Sequence, residues 1–131
     1  MSSPTPLVAV VDDDAEVRAA LVRLVASTGH AGRAYASGEA FLQDVDSHRP
    51  QCVVLDLHMP GASGFDVLQA LARRHIDVPV LTITGYDSAD ARATALRLGA
   101  QAYLCKPVDE HTLLSAIAAA LRPGPCEGGE R

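Results

Sequence analysis

Five short apolar runs constrain this chain more than any other feature. They cover residues 7–11, 31–35, 52–55, 78–83 and 102–105. Runs of this length, rich in Val, Leu and Ile, read as strands buried on both faces. The second run is the weakest and suits a sheet edge. Between and after them, apolar residues recur at helical spacing. Asp14 is a cap for a first helix with Val17, Leu21, Leu24 and Val25 on one stripe, stopped by Gly29. Ser37 caps a short helix carrying Phe41, Leu42 and Val45. Pro60-Gly61 demands a loop, after which Phe65, Leu68 and Leu71 resume helical spacing. Asp87 or Ser88 opens a fourth helix that Gly99 ends, and Asp109 caps a fifth with Leu113, Leu114, Ile117 and Leu121 inward. The fourth helix offers only Ala91, Ala95 and Leu98 to a core, so it is expected to be the loosest.

Strands alternating with helices imply a parallel sheet covered on both faces, and right-handed crossovers restrict its topology. The expected fold is α/β: a doubly wound, flavodoxin-like, five-stranded parallel sheet with five helices. Order 2-1-3-4-5 places the first and third strands side by side at the switch point, where such folds bind their ligands.

At 131 residues the chain fits one domain. Residues 6–121 carry the pattern. Residues 1–5 are expected to be a flexible N-terminus, and the Pro/Gly-rich residues 122–131 a disordered tail or the start of a linker. A net charge of -5 argues against nucleic-acid binding, which needs clustered Lys and Arg. No apolar run approaches the roughly 20 residues of a membrane span. Residues 1–6 lack the charged and apolar regions of a signal peptide. Cys52, Cys105 and Cys126 read as two small core residues and one tail thiol in a reducing compartment, and the chain as cytoplasmic.

The chemistry sits where the apolar runs end. Asp12 and Asp13 follow the first run, Asp56 the third, Thr84 the fourth and Lys106 the fifth. In the 2-1-3-4-5 order these ends share one edge. Packed carboxylates repel, and a hard cation with oxygen ligands relieves them. Mg²⁺ fits best, with Asp13 as a direct ligand, Asp12 a ligand through water, and Asp56 and the His58 backbone carbonyl completing the set. A carboxylate is also a nucleophile towards phosphorus. A phosphoryl group on Asp56 would find partners in the cation, the Lys106 ammonium, the Thr84 hydroxyl and a backbone N–H after Asp56.

The stretches that carry these residues are Val10-Val11-Asp12-Asp13-Asp14, Val54-Leu55-Asp56-Leu57-His58-Met59-Pro60-Gly61, Ile83-Thr84-Gly85 and Tyr103-Leu104-Cys105-Lys106-Pro107. With them, residues 6–121 resemble a receiver domain of bacterial two-component response regulators, similar to the single-domain chemotaxis regulator and to nitrogen-fixation-type receivers. The resemblance implies a phosphoaspartate signalling switch in a phosphorelay: Asp56 accepts phosphate from a sensor histidine kinase, with Mg²⁺ at the acidic pair. It implies that Thr84 and Tyr103 form a switch pair, the ring turning inward behind the hydroxyl and rearranging the face of the fourth helix, fifth strand and fifth helix. A downstream protein or a fused DNA-binding output would lie outside this chain, which would be a monomer or a phosphorylation-dependent dimer. Lys106-Pro107 falls where the family often has a cis bond. Gly85 stands where Ala is frequent, and His58 and Tyr86 occupy the variable positions beside the phosphoryl site. Their bulk should hinder water and lengthen the life of the acyl phosphate.

Two other readings compete. A small Mg²⁺-dependent phosphatase with an aspartate nucleophile would use Asp12-x-Asp14, but the chain is short for the usual cap. An unphosphorylated interaction module of the same fold would leave the acidic pair Asp12 and Asp13, Thr84 and Lys106 without a task.

Overall fold

The computed structural model describes residues 5–121. Strands β1 (Leu7–Val11), β2 (Ala31–Tyr35), β3 (Cys52–Asp56), β4 (Val80–Thr84) and β5 (Ala102–Cys105) alternate with helices α1 (Ala15–Ala26), α2 (Gly38–Asp44), α3 (Gly64–Arg73), α4 (Ala89–Arg97) and α5 (Glu110–Leu121). The strands form one parallel sheet in the order β2-β1-β3-β4-β5, as expected. The expectations for residues 1–4 and 122–131 lie outside the described residues.

Alternation along the strands divides the core in two. Ala9, Val11, Val53 and Leu55 pack with Phe41 of α2, Val67, Leu68 and Leu71 of α3, and Ala95 of α4. The intervening Val8, Val10, Cys52, Val54, Leu81 and Ile83 pack with Leu21 and Val25 of α1 and Leu113 and Ile117 of α5. That is period-2 alternation with both faces covered, so β3 and β4 are buried at every position.

The helices start where their caps place them. Asp14 accepts hydrogen bonds from the Glu16 and Val17 amides, Ser37 from Ala40, Ser88 from Ala91 and Asp109 from Thr112. Ser63 and Asp66 form a reciprocal capping box at α3 that the sequence reading did not identify. Gly29 and Gly99 hold φ of 84° and 109° beyond α1 and α4, a left-handed turn that lets each chain reverse into the next strand.

Three strand boundaries moved. The polar residues Asp56 and Thr84 belong to the strands rather than following them: the Leu57 amide donates to Ile83 at 2.9 Å and the Lys106 amide to Thr84 at 2.7 Å. β4 starts at Val80 rather than residue 78, because Pro79 has no N–H to offer the ladder, although its carbonyl accepts from Val53. One expectation fails. Cys105 is exposed at the end of an edge strand rather than in the core, whereas Cys52 is buried and its thiol is pushed up to about 12 by that burial.

Candidate functional site

The strand register builds the site. Val11 pairs with Leu55 across β1 and β3, so the next residues, Asp12 and Asp56, emerge side by side. Asp56 pairs with Ile83, and Thr84 with Cys105, which brings Thr84 and Lys106 to the same edge. Carboxylate oxygens of Asp12, Asp13 and Asp56 lie within 4.8 Å of one another. Lys106 Nζ is 3.0 Å from Asp12 Oδ2 and 3.5 Å from Asp56 Oδ2. Asp13, Asp14, Asp56, His58, Gly85, Tyr86 and Lys106 line a cleft of about 420 Å³ above them. Asp12 and Thr84 are fully buried and lie outside that lining, which Asp12 meets through Lys106 and Thr84 through His58. Of the five residues expected at one pocket, Asp13, Asp56 and Lys106 line the cleft and the other two contact its lining.

Charge in the cleft is unevenly matched. Burial, and then the charge of Asp12, push the Asp56 carboxyl above its ordinary range, against the pull of Lys106 and the His58 amide, which donates to Oδ1 at 3.3 Å. Burial lowers Lys106, but its contacts with Asp12 and Asp56 outweigh that and leave the ammonium raised and charged. One ammonium cannot balance three carboxylates. Asp12 Oδ1 accepts the Asp14 amide at 2.9 Å. Its buried Oδ2 meets only the Lys106 ammonium, at 3.0 Å. A buried carboxylate oxygen with that single partner, among three carboxylates, fits a hard divalent cation. The His58 carbonyl accepts no hydrogen bond among the described residues.

Several participants were not legible in advance. The Arg18 guanidinium donates to the Asp12 carbonyl at 2.8 Å, bracing the β1–α1 turn. Gly64 sits so close that a Cβ there would meet the Asp56 carbonyl at 2.6 Å and Leu57 Cα at 2.7 Å. From sequence, the His58 ring offers only bulk beside the phosphoryl site. Instead Nδ1 lies 2.8 Å from Thr84 Oγ1, and the ring stands edge-on to Tyr86 and Phe65, with centroids 5.1 and 6.2 Å away.

Tyr103 is buried. Its hydroxyl donates to Asp87 Oδ1 at 3.0 Å and accepts the Ser88 amide at 3.4 Å, while Arg92 Cζ lies 4.8 Å from the ring centroid. Burial raises this phenol, with Asp87 adding to the shift. The ring is thus already inside while Thr84 is bonded to His58 and the Tyr86 amide, not to Asp56. The Lys106-Pro107 bond is cis, matching the family position.

Such a sheet, carrying its acids, hydroxyl and ammonium at the carboxyl edge of parallel strands, defines a doubly wound domain of the CheY and flavodoxin kind. The model of the response regulator receiver domain matches residues 8–118, and the chain belongs to that family. It is 36% identical over 125 residues to the response regulator protein TmoT of Ectopseudomonas mendocina, covering 95% of this chain and 57% of that protein. It is likewise 36% identical over 112 residues to the transcriptional regulatory protein FixJ of Azorhizobium caulinodans, covering 86% and 53%. A solved response regulator receiver protein from Burkholderia phymatum superposes with a TM-score of 0.80 at 45% identity, covering 89% of this chain and 95% of that one. The chain spans about half the length of the curated relatives it matches. Proteins of this family are signalling components of two-component systems. No helix among the described residues is long and apolar enough to cross a membrane.

Proposed function

We propose that this chain is a phosphoaspartate switch in which Asp56 accepts a phosphoryl group from the phosphohistidine of a sensor histidine kinase. The carrying observation is the convergence of Asp12, Asp13 and Asp56 within 4.8 Å beside Lys106. An Asp56 carboxylate oxygen attacks phosphorus, the N–P bond of the donor breaks, and its electron pair returns to the imidazole, leaving an acyl phosphate. Asp13 directly, Asp12 through water, and Asp56 with the His58 carbonyl would hold Mg²⁺, which would supply positive charge against a phosphoryl oxygen. Lys106 transfers its pairing from the carboxylates to a second oxygen, and Thr84 and Tyr103 carry the change to the face of α4, β5 and α5.

An apolar groove lined by Val17, Ala20, Leu21, Ile83, Lys106, Pro107 and Val108 adjoins the cleft through Lys106. The output is a downstream protein or a fused DNA-binding unit outside this chain; one relative is named a transcriptional regulatory protein. The domain works in the cytoplasm without contacting nucleic acid or membrane, as a monomer or a phosphorylation-dependent dimer. His58 and Tyr86 border the cleft and shield the acyl phosphate from water, so its half-life with Mg²⁺ outlasts a few seconds. A phosphatase using Asp12-x-Asp14 would need the Asp14 carboxylate as its acid, but that group caps α1.

Acetyl phosphate with Mg²⁺ should add the mass of one phosphoryl group to the wild-type chain and none to Asp56→Asn. Uptake by that variant would assign the acceptor elsewhere.

A further inference from the structure

Resting on that reading of the site, we propose that the His58 ring is a latch on Thr84: Nδ1 accepts the only proton of the Thr84 hydroxyl and so withholds it from a phosphoryl oxygen on Asp56. Thr84 Oγ1 has two partners. The Tyr86 amide donates to it at 3.0 Å, and His58 Nδ1 lies at 2.8 Å. A hydroxyl has one proton to give. Donated to Nδ1, it must be taken back before Thr84 can bind a phosphoryl group, and the cost of breaking that bond is set against phosphorylation.

The ring is held for this task. His58 leaves β3 two residues beyond Asp56, and its amide donates to Asp56 Oδ1. Phe65 of α3 and Tyr86 of the β4–α4 connection flank it at near-perpendicular angles of 89° and 68°. Edge-to-face packing on two sides fixes the ring plane and aims Nδ1 across the cleft at β4. Tyr103, the other half of the expected switch pair, is anchored by Asp87, Ser88 and Arg92. Thr84 is therefore the member of the pair whose partner must change, and His58 sets the cost of that change. His58 is a positioning residue: it acts through Thr84, and its backbone amide and carbonyl serve the site whatever the side chain.

The test uses beryllofluoride with Mg²⁺, a phosphoryl mimic that needs no donor, with binding followed by the fluorine resonance of the bound species. Wild-type protein should bind it. His58→Ala and His58→Phe should each bind it about fivefold more tightly, the size of one ordinary hydrogen bond. In the Thr84→Val background neither substitution should change affinity. Ring nitrogen shifts of the resting wild type should place the His58 proton on Nε2. Unchanged affinity in both variants overturns the latch while leaving the acceptor assignment intact. A gain with Ala but not Phe overturns it in favour of simple bulk, since Phe keeps the ring between Phe65 and Tyr86 but has no nitrogen. A gain that persists in the Thr84→Val background, or a proton found on Nδ1, overturns it too. Failure of the wild type to bind the mimic would instead reject the phosphoacceptor reading, and the latch with it.

Discussion

Gly85 shows how little a departure at a single residue has to mean. It stands in the cleft lining, next to Thr84, where the family often carries Ala. A Cβ there would meet only Lys106 Cδ, at 4.0 Å, an ordinary contact, and its φ is not positive. Neither space nor backbone demands glycine, so its effect is on the entropy of the unfolded chain. Gly85→Ala should raise unfolding free energy by about 0.4–1 kcal/mol in urea titrations. A loss of stability would mean that the β4–α4 connection needs conformations closed to alanine. Gly64 is the contrary case. Its missing Cβ is space that the Asp56–Leu57 backbone occupies, and no spacing rule in the sequence distinguishes it from Gly85. The five polar residues of the site were legible because each ends an apolar run. The His58–Thr84 bond was not, because it joins side chains 26 residues apart whose rotamers depend on Phe65 and Tyr86.

Individual elements bury different amounts of apolar side chain, and the apolar pattern reported this well. α3 buries Val67, Leu68 and Leu71, each contributing about 1.5–3 kcal/mol, whereas α4 buries only Ala95. Amide exchange should therefore be faster in α4 than in α1, α3 or α5, and protection of α4 equal to theirs would refute this. The strand most weakly signalled by sequence, β2, is held by polar contacts instead. Tyr35 donates to Asp44 Oδ2 at 2.6 Å, Arg33 Nε donates to the same oxygen at 2.9 Å, and His48 Nδ1 lies 3.0 Å from Oδ1. Sequence reading missed this tie, since nothing in the run 31–35 announces a partner in α2. The Tyr35 bond, with smaller parts from His48 and Arg33, lowers the Asp44 carboxyl to about 2. A depressed carboxyl stabilises the fold above its unfolded value near 3.8 and stops doing so as pH falls through its folded value. The stability difference between wild type and Asp44→Asn should thus be full at pH 7 and shrink as acid takes the protein from about pH 4 towards 2. A difference that stays constant over that range would show that the carboxylate charge is not what secures β2.

For the whole molecule, the site and the fold pull in opposite directions. The sheet order that completes the core also forces Asp12 and Asp56 together at the ends of β1 and β3, with a single ammonium between them. Burial, and after it the charge of Asp12, raise the Asp56 carboxyl, and sites that set charge against the fold in this way are where stability is traded for function. The consequence is measurable by mass action. A cation that binds the folded chain and not the unfolded one adds about 2.7 kcal/mol when present at a hundred times its Kd. Thermal unfolding of the wild type should move up by several degrees as Mg²⁺ is added. Asp56→Asn removes one of the repelling charges, so without Mg²⁺ it should unfold above the wild type, and it should gain much less when Mg²⁺ is supplied. The two curves should therefore converge as Mg²⁺ rises. If the variant started below the wild type, Asp56 would be stabilising the fold through Lys106 rather than straining it. If it gained as much from Mg²⁺, the ion would be held without Asp56, and the link between cation and acceptor would fail while the fold stood unchanged.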